Sequence, residues 1–178
     1  MNTGLDTDLD SDDLVVALDK QEEKRRRQQI RVKAMDFLAR REYSCQELQQ
    51  RLLRRDYGYE PEMVGLIVAE LVAEGLLSDE RFIESFVASR QRRGQGPVRI
   101  RAELRDRGVS EVLIETWLDM RDPQWLCRLR ELHDKRFAGQ DPETMSERAR
   151  QQRFFSYRGF TAEQIKHLFK QDADDYLE

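Results

Sequence analysis

The amino-acid sequence predicts an all-α protein, an elongated array of three tandem modules that each hold three helices. Three observations predict this class. Proline and glycine are scarce, at 4 and 9 of 178 residues, and runs of β-branched residues, which favour strands, are absent. Hydrophobic residues make up 39% of the chain and charged residues 37%, a balance that favours small cores over one large core. The third observation is an internal repeat.

The repeat consists of a glycine, an apolar residue and a helix-cap position, and it recurs about every fifty residues. It occurs as Gly58-Tyr59-Glu60, Gly108-Val109-Ser110 and Gly159-Phe160-Thr161. After each cap position the same three positions are apolar, which places them on one face of a helix. These residues are Val64, Ile67 and Val68, then Ile114, Trp117 and Leu118, then Ile165, Leu168 and Phe169. Any amphipathic helix would show such a face, but the shared glycine register favours tandem modules.

Residues 1–30 are predicted to form an acidic tail followed by a basic helical lead-in. Residues 1–12 are polar and acidic without periodicity, which is typical of disorder. From Asp13 to about Arg31 the sequence can extend a helix. Its basic run, residues 24–27, is either a contact for nucleic acid or an acidic partner, or only a solvated helix face. We interpret the acidic tail as a solubilising segment; the alternative is a competitor that folds back onto the basic body.

Residues 31–171 are divided by apolar spacing and cap residues into nine predicted helices. Module 1 covers 31–77, with helices at 31–41, 44–55 and 60–74. Module 2 covers 78–120, with helices at 79–93, 97–107 and 110–119. Module 3 covers 121–171, with helices at 123–136, 144–158 and 161–171, and an acidic tail follows at 172–178.

Module 2 contains the clearest capping residues. Ser78 is a predicted N-cap, and Gly94 can take the left-handed conformation that ends the helix. Pro97 suits the first position of the next helix, where no N–H is needed. Gly108 stands where a Schellman cap requires it. We expect a structural role for Gly94, Pro97 and Gly108, and also for Gly96 in the corner between the two helices.

Module 2 also carries the densest positive charge, because positions 90 to 107 contain seven arginines and only two acidic residues, Glu103 and Asp106. Arg90 falls on the apolar stripe of its helix, so we expect it to be structural and to bond either to carbonyls of residues 94–96 or to a carboxylate. The others lie on a solvated face or bind an anionic partner through their planar, forked guanidinium groups. The candidate contacts for a partner or nucleic acid are Arg92, Arg93, Arg99, Arg101 and Arg105.

The formal net charge of −4 hides an uneven distribution. Ten acidic residues lie in residues 1–19 and 172–178, which contain no lysine or arginine, and the rest of the chain is net basic. An acidic protein of this kind can still bind nucleic acid.

Cys45 and Cys127 are far apart without a nearby companion, which indicates reduced thiols. Apolar runs of membrane length and a leader peptide are absent, so we expect a soluble, cytoplasmic monomer that does not bind membranes.

Residue patterns for catalysis or metal binding are not found. His133 and His167 are separated in sequence, and we expect both at the surface and no metal site. The Gly94–Pro97 corner lacks the Gly-Lys-Ser/Thr ending of a phosphate-binding loop. We therefore expect no cofactor and no enzymatic activity.

A helix-turn-helix protein that recognises duplex DNA is a rival interpretation. The third helices of modules 1 and 2, however, carry acidic residues and no lysine or arginine, so DNA phosphates would repel them.

Three stretches of the chain have a distinctive order of residues: Gly75-Leu-Leu-Ser-Asp-Glu-Arg-Phe82, Arg93-Gly-Gln-Gly-Pro97 and Arg107-Gly-Val109. In these stretches the chain most densely resembles the RecX family, the regulators of the bacterial RecA recombinase. The resemblance extends to Ala39-Arg-Arg-Glu-Tyr-Ser44 in module 1 and to Arg153-Phe-Phe155 and Tyr157-Arg-Gly-Phe160 in module 3. It covers about residues 31–170, and residues 1–30 lie outside it.

This resemblance implies tandem three-helix modules that bind along the helical groove of the RecA–single-stranded-DNA filament. It implies a regulator, mainly an inhibitor, of filament growth, ATP hydrolysis, strand exchange and the RecA-stimulated cleavage that triggers the SOS response. It also implies no catalysis by the chain itself. The alternative function is a stand-alone helix-turn-helix-like protein that binds single-stranded or duplex DNA directly.

Overall fold

The structure, a computed structural model, describes the backbone of residues 11–174 and the side chains of residues 15–170. This part of the chain is entirely helical apart from its turns and contains no strand. Its helices are α1 (Ser11–Leu38), α2 (Cys45–Leu52), α3 (Pro61–Ala73), α4 (Asp79–Arg92), α5 (Pro97–Arg105), α6 (Glu111–Trp117), α7 (Gln124–Phe137), α8 (Met145–Arg158) and α9 (Ala162–Asp174). The predicted all-α class with three helices per module is confirmed. Most of the predicted disordered tail, residues 1–10, and residues 175–178 of the acidic tail lie outside the described residues.

The first helix differs from the prediction. The sequence predicted a lead-in from about Asp13 to Arg31 and a separate helix at 31–41, whereas α1 is one continuous helix, Ser11–Leu38. This stretch contains neither proline nor glycine and is rich in strong helix formers, so nothing in it interrupts the hydrogen-bond ladder. Its buried side begins only at Ile30 and continues at Ala34 and Phe37, with helical spacing.

The chain forms two compact units. The first consists of the described residues up to 41 together with residues 48–77, and its core lies between α1 and α3. Ile30, Ala34, Val64, Ile67 and Leu71 are buried there and are at most 2% exposed.

The second unit contains residues 42–47 and the described residues from 78 onward. Segment 42–47 is held within it by hydrogen bonds to module 2: the Ser44 hydroxyl donates to the Arg107 carbonyl at 2.6 Å, and the Asp79 carboxylate accepts from the Cys45 N–H at 2.8 Å. Side chains of α4–α6 and of α7–α9 belong to one continuous hydrophobic core, which includes Phe82 and Phe155. The sequence had indicated separate small cores, but here the cores of two predicted modules are merged.

A direct contact of two backbones accompanies this merged core. The Gly96 N–H donates to the Arg158 carbonyl at 2.9 Å, and the Val98 N–H donates to the Gly159 carbonyl at 3.0 Å. A Cβ on Gly96 would lie 2.4 Å from the Gly159 oxygen, and a Cβ on Gly159 would lie 2.3 Å from the Arg99 Cβ. The corner between α4 and α5 therefore packs against the end of α8 only because both positions are glycine.

Two residues lie differently from the sequence prediction. Trp117, predicted on a buried helix face, is 44% exposed, while the other eight residues of the repeated face are buried. The reason is that α6 ends at Trp117, and Leu118 leaves helical geometry with φ −125° and ψ 84°. His133, predicted at the surface, is only 4% exposed, because it lies on the inner side of α7 against the rings of Phe137, Phe155 and Phe169.

Candidate partner-binding surface

Arg90, which the sequence placed on the apolar stripe of α4, lies between a carboxylate and an aromatic ring. Its Nε donates to the Glu103 Oε2 at 2.7 Å, and its guanidinium lies 4.3 Å from the centre of the Phe86 ring. Arg107 lies over the same ring at 4.7 Å and donates to the Glu103 carbonyl oxygen at 2.7 Å. Of the two bonding partners that the sequence allowed for Arg90, the structure shows the carboxylate. The Arg90 carbonyl also accepts from the Gln95 N–H at 3.1 Å, which closes the turn at Gly94.

Glu103 is the centre of this cluster, since it also accepts from the Arg99 Nε at 3.1 Å. Burial disfavours its ionised form, but the hydrogen bonds from Arg90 and Arg99 outweigh burial and hold the pKa of the Glu103 carboxyl below its usual value. Glu103 is therefore a stable anion at neutral pH that joins α4 to α5. Arg99 also lies 5.5 Å from the centre of the Tyr157 ring, on α8.

Arg101 and Arg105 bind the acidic face of α6. Arg105 Nε donates to Glu111 Oε2 at 2.6 Å, Arg101 Nε donates to Glu111 Oε1 at 2.7 Å, and Arg101 Nη2 also contacts Glu115 at 2.9 Å. The hydrogen bonds from Arg105 and Arg101 lower the pKa of Glu111 to about 2. The positive charges of the second helix of module 2 and the negative charges of its third helix therefore neutralise each other. The sequence had indicated that these two sets of charges are independent.

The other predicted site residues lie around the same corner. Arg92 and Arg93 are exposed near the end of α4, and within the described part of the chain neither forms an ion pair. Gly94 has φ 68° and Gly108 φ 73°, and the Val109 N–H donates to the Leu104 carbonyl at 3.2 Å. Pro97 is buried at the first position of α5. The structure therefore places all ten predicted residues on α4, α5 and their turns. Of the predicted arginines, only Arg92 and Arg93 have no carboxylate partner among the described residues.

The first unit repeats this pairing of arginines with a third helix. Arg31 binds Glu74 through both guanidinium nitrogens, at 3.0 and 2.5 Å, and Arg27 binds Glu70. Arg26, also in the basic run of α1, contacts the Glu60 carboxylate at 3.1 Å. Part of this run therefore holds α1 on α3. The acids of α3 are partly neutralised, so they repel phosphates less than the sequence alone indicated.

The sequence prediction missed one group of cations and aromatic rings, on α7 and α8. Arg158 lies 5.2 Å and Arg136 6.0 Å from the centre of the Phe154 ring, and Tyr157 is 76% exposed. The available signal was the spacing of Arg150, Phe154, Tyr157 and Arg158, which places all four on one face of α8.

The described residues offer little for catalysis. No group of three or more histidine, cysteine and acidic side chains among them could hold a metal ion. Both cysteines are unpaired, and burial raises the pKa of the Cys45 thiol to about 12, which leaves it protonated and unreactive. A helix long and apolar enough to cross a membrane does not occur in the described part of the chain.

These features define a class of protein, an all-α chain of three-helix domains in tandem with arginine–carboxylate pairs between neighbouring helices. Family models for the first, second and third three-helix domains of RecX match residues 31–65, 78–118 and 122–169. The chain belongs to the RecX family.

Individual relatives agree with this assignment. A protein of Pseudomonas savastanoi pv. phaseolicola is 45% identical over 146 residues, which are 82% of this chain and 93% of the relative. A protein of Halorhodospira halophila is 44% identical over 137 residues, 77% of this chain and 84% of the relative. Both are named Regulatory protein RecX.

Two crystal structures show the same fold. RecX from Lactobacillus salivarius superposes with a TM-score of 0.70 at 16% identity, over 83% of this chain and 97% of that one. A second structure, of a regulatory protein RecX, has a TM-score of 0.72 at 20% identity, over 92% of this chain and 80% of that one.

Proposed function

We propose that this chain regulates, and mainly inhibits, the RecA recombinase by binding along the helical groove of the RecA–single-stranded-DNA filament. It modulates filament growth, ATP hydrolysis, strand exchange and the co-protease activity of the SOS response. The observation that carries the proposal is the 45% identity, over 82% of the chain, with a relative named Regulatory protein RecX. In this proposal the chain acts in the cytoplasm as a monomer, without a cofactor and without catalysis of its own.

The proposed contact surface consists of the arginines of the α4–α5 corner. Arg92 and Arg93 are exposed and without a carboxylate partner among the described residues, so they can meet an anion without losing a bond. Arg105 is bound to Glu111, but their side chains are 54% and 40% exposed, and ion pairs open to water are weak. An anion of the filament can therefore replace Glu111 at small cost. Arg99 and Arg101 complete the proposed surface.

A double charge reversal tests this surface. Arg99→Glu with Arg105→Glu is expected to keep the helical circular-dichroism signal and to weaken inhibition of RecA ATP hydrolysis, because both changes turn attraction to the filament into repulsion. The matched control is Arg121→Glu with Arg128→Glu, which changes the net charge equally at two exposed positions outside α4 and α5. Unaltered inhibition by a folded Arg99/Arg105 variant would remove this surface from the proposal.

Comparative binding separates this function from that of a stand-alone nucleic-acid-binding protein. We expect the chain to bind preassembled RecA filaments much more tightly than bare single-stranded or duplex DNA of the same length and at the same salt concentration. The reason is that the filament offers protein contacts in addition to phosphates. Equal affinity for filament and bare DNA, with the same salt dependence, would favour the alternative function.

A further inference from the structure

Helix α8 carries a stripe of cations and aromatic rings that runs from the edge of the core, at the partly buried Phe154, to the solvent-exposed side of the helix. Arg150, Phe154, Tyr157 and Arg158 follow one another with helical spacing, and Arg153 lies beside them. Arg150, Arg153 and Tyr157 are exposed, whereas Gln151 and Phe155, on the opposite side of the helix, are buried. Arg136 of α7 lies over the Phe137 and Phe154 rings. We call the surface formed by six residues the α8 face: Arg136, Arg150, Arg153, Phe154, Tyr157 and Arg158.

The arginines of the α8 face differ from those of α1 and α5 in having no carboxylate partner among the described residues. Arg136 and Arg158 are held instead against the faces of Phe137 and Phe154, at 5.2–6.0 Å from the ring centres. Arg158 also donates to the Arg93 carbonyl at 3.2 Å, which fixes its position and leaves its charge uncompensated. Arg150 and Arg153 extend into solvent. The result is a group of four positive charges without a carboxylate partner among the described residues, two held by ring contacts and two exposed to solvent, and such a group attracts a polyanion.

Tyr157 adds a feature that a simple cationic patch lacks. Its ring is 76% exposed, and the Arg99 guanidinium lies 5.5 Å from the ring centre. Exposed aromatic rings between arginines bind single-stranded nucleic acids, because every base offers a face for stacking while the arginines follow the backbone. An acidic protein segment would use the charges but would not use the part of the Tyr157 ring that is open to solvent.

We propose that the α8 face binds the phosphate backbone of a single-stranded nucleic acid, with one base stacked on Tyr157. This inference goes beyond the proposed function, because it concerns the bare strand and requires no recombinase. The α8 face adjoins the α4–α5 arginines proposed to contact the filament, since Arg99 lies on the Tyr157 ring and Arg158 donates to the Arg93 carbonyl. It differs from them in that none of its own arginines is paired with a carboxylate among the described residues, whereas Arg99, Arg101 and Arg105 are.

The test is the salt dependence of binding to a fluorescently labelled single-stranded oligodeoxynucleotide, measured by anisotropy with the full chain. Each phosphate contact on a single strand contributes about 0.7 to the slope of log affinity against log salt concentration. Replacing Arg150→Gln and Arg153→Gln together should therefore lower that slope by about 1.4. The matched control, Lys166→Gln with Lys170→Gln, removes the same charge from two exposed positions of α9 and should leave the slope unchanged. Circular dichroism verifies that all variants are folded.

The stacking of a base on Tyr157 is tested by Tyr157→Ala. This change should weaken binding of the oligonucleotide by roughly tenfold and leave the slope of log affinity against log salt concentration unchanged. The proposal is overturned if the wild-type chain does not bind the oligonucleotide, or if the arginine and lysine variants change the slope equally. Wild-type affinity in Tyr157→Ala would overturn the stacked base. Inhibition of RecA is measured with the same proteins, so inhibition without strand binding rejects this inference alone, and strand binding without inhibition rejects only the proposed function.

Discussion

At the scale of single residues, the stability of module 2 depends on carboxylates that hold several arginines each. Glu103 binds Arg90 and Arg99, and Glu111 binds Arg101 and Arg105. The two clusters differ in exposure, since the Arg90 and Glu103 side chains are 16% and 19% exposed while that of Arg105 is 54% exposed. Hydrogen bonds between charged groups stabilise more when water is largely excluded. The Glu103 cluster should therefore contribute more to folding than the Glu111 cluster.

Replacing Glu103→Gln should lower the free energy of unfolding by about 1–3 kcal/mol, because Arg90 loses its charged acceptor in a mostly buried position. The change is measured by urea denaturation at pH 7. The control is Glu163→Gln at an exposed position of α9, for which we expect a change within about 0.5 kcal/mol. Equal stability of the two variants would show that Glu103 is not the centre of the cluster.

Glu111 gives a prediction about pH. Its pKa is lowered to about 2 in the folded chain, so its contribution to stability is fully present above the pKa of the unfolded chain, about 4.3, and is lost as the pH falls towards 2. The stability difference between wild type and Glu111→Gln should be constant between pH 7 and 5 and should shrink below about pH 4. Thermal melts over this range measure it. A difference that grows as the pH falls would contradict the assigned ion pairs.

The sequence predicted these residues unevenly. Arg90 could be singled out because a cation on an apolar stripe needs a bonding partner. Its partner could not be chosen, since carbonyls of the turn and Glu103 both lay within reach along the chain. The pairing of Arg101 and Arg105 with α6 was missed, because the spacing of charges within one helix does not reveal which other helix packs against it.

At the scale of elements, the determining feature is the contact of the α4–α5 corner with the end of α8. Two backbone hydrogen bonds join them, from Gly96 and Val98 to the carbonyls of Arg158 and Gly159. The helices themselves follow from caps and apolar spacing that the sequence displays, and their predicted ends lie within a few residues of those observed for α3 to α9. The contact between the two glycines could not be predicted, because each glycine already had a local explanation as a turn or cap residue.

Replacing Gly159→Ala should destabilise the chain strongly. Gly159 has φ 92°, and an added Cβ would lie 2.3 Å from the Arg99 Cβ and 2.6 Å from its backbone nitrogen. The control is Gly139→Ala in the same unit, where φ is 66° and the nearest atom is a carboxylate oxygen of the exposed Asp134 side chain, 3.2 Å away. Both variants bear backbone strain of about 1–2 kcal/mol, and only Gly159→Ala adds the clash. Melting temperatures measure the difference, and equal losses would show that α8 does not contact the corner as described.

At the scale of the whole molecule, the chain uses its charges in two ways. In α1, α3, α5 and α6, arginines and glutamates join helices to each other. On α8 and at the end of α4, arginines keep their charge available to a partner. The sequence revealed the fold class, the repeat and the family, because these depend on local spacing. It could not reveal which arginines are free, because that depends on contacts between distant segments.

The central claim is that this chain regulates the RecA filament, and titration of ATP hydrolysis tests it most directly. RecA is assembled on single-stranded DNA with excess ATP, and the purified chain is added from far below to above the RecA concentration. The proposal predicts that hydrolysis falls when the chain is present at a small fraction of the RecA protomers, because a chain bound in the filament groove would interfere with filament growth. Unchanged hydrolysis, or a loss only when the chain is abundant enough to coat the DNA itself, would contradict it.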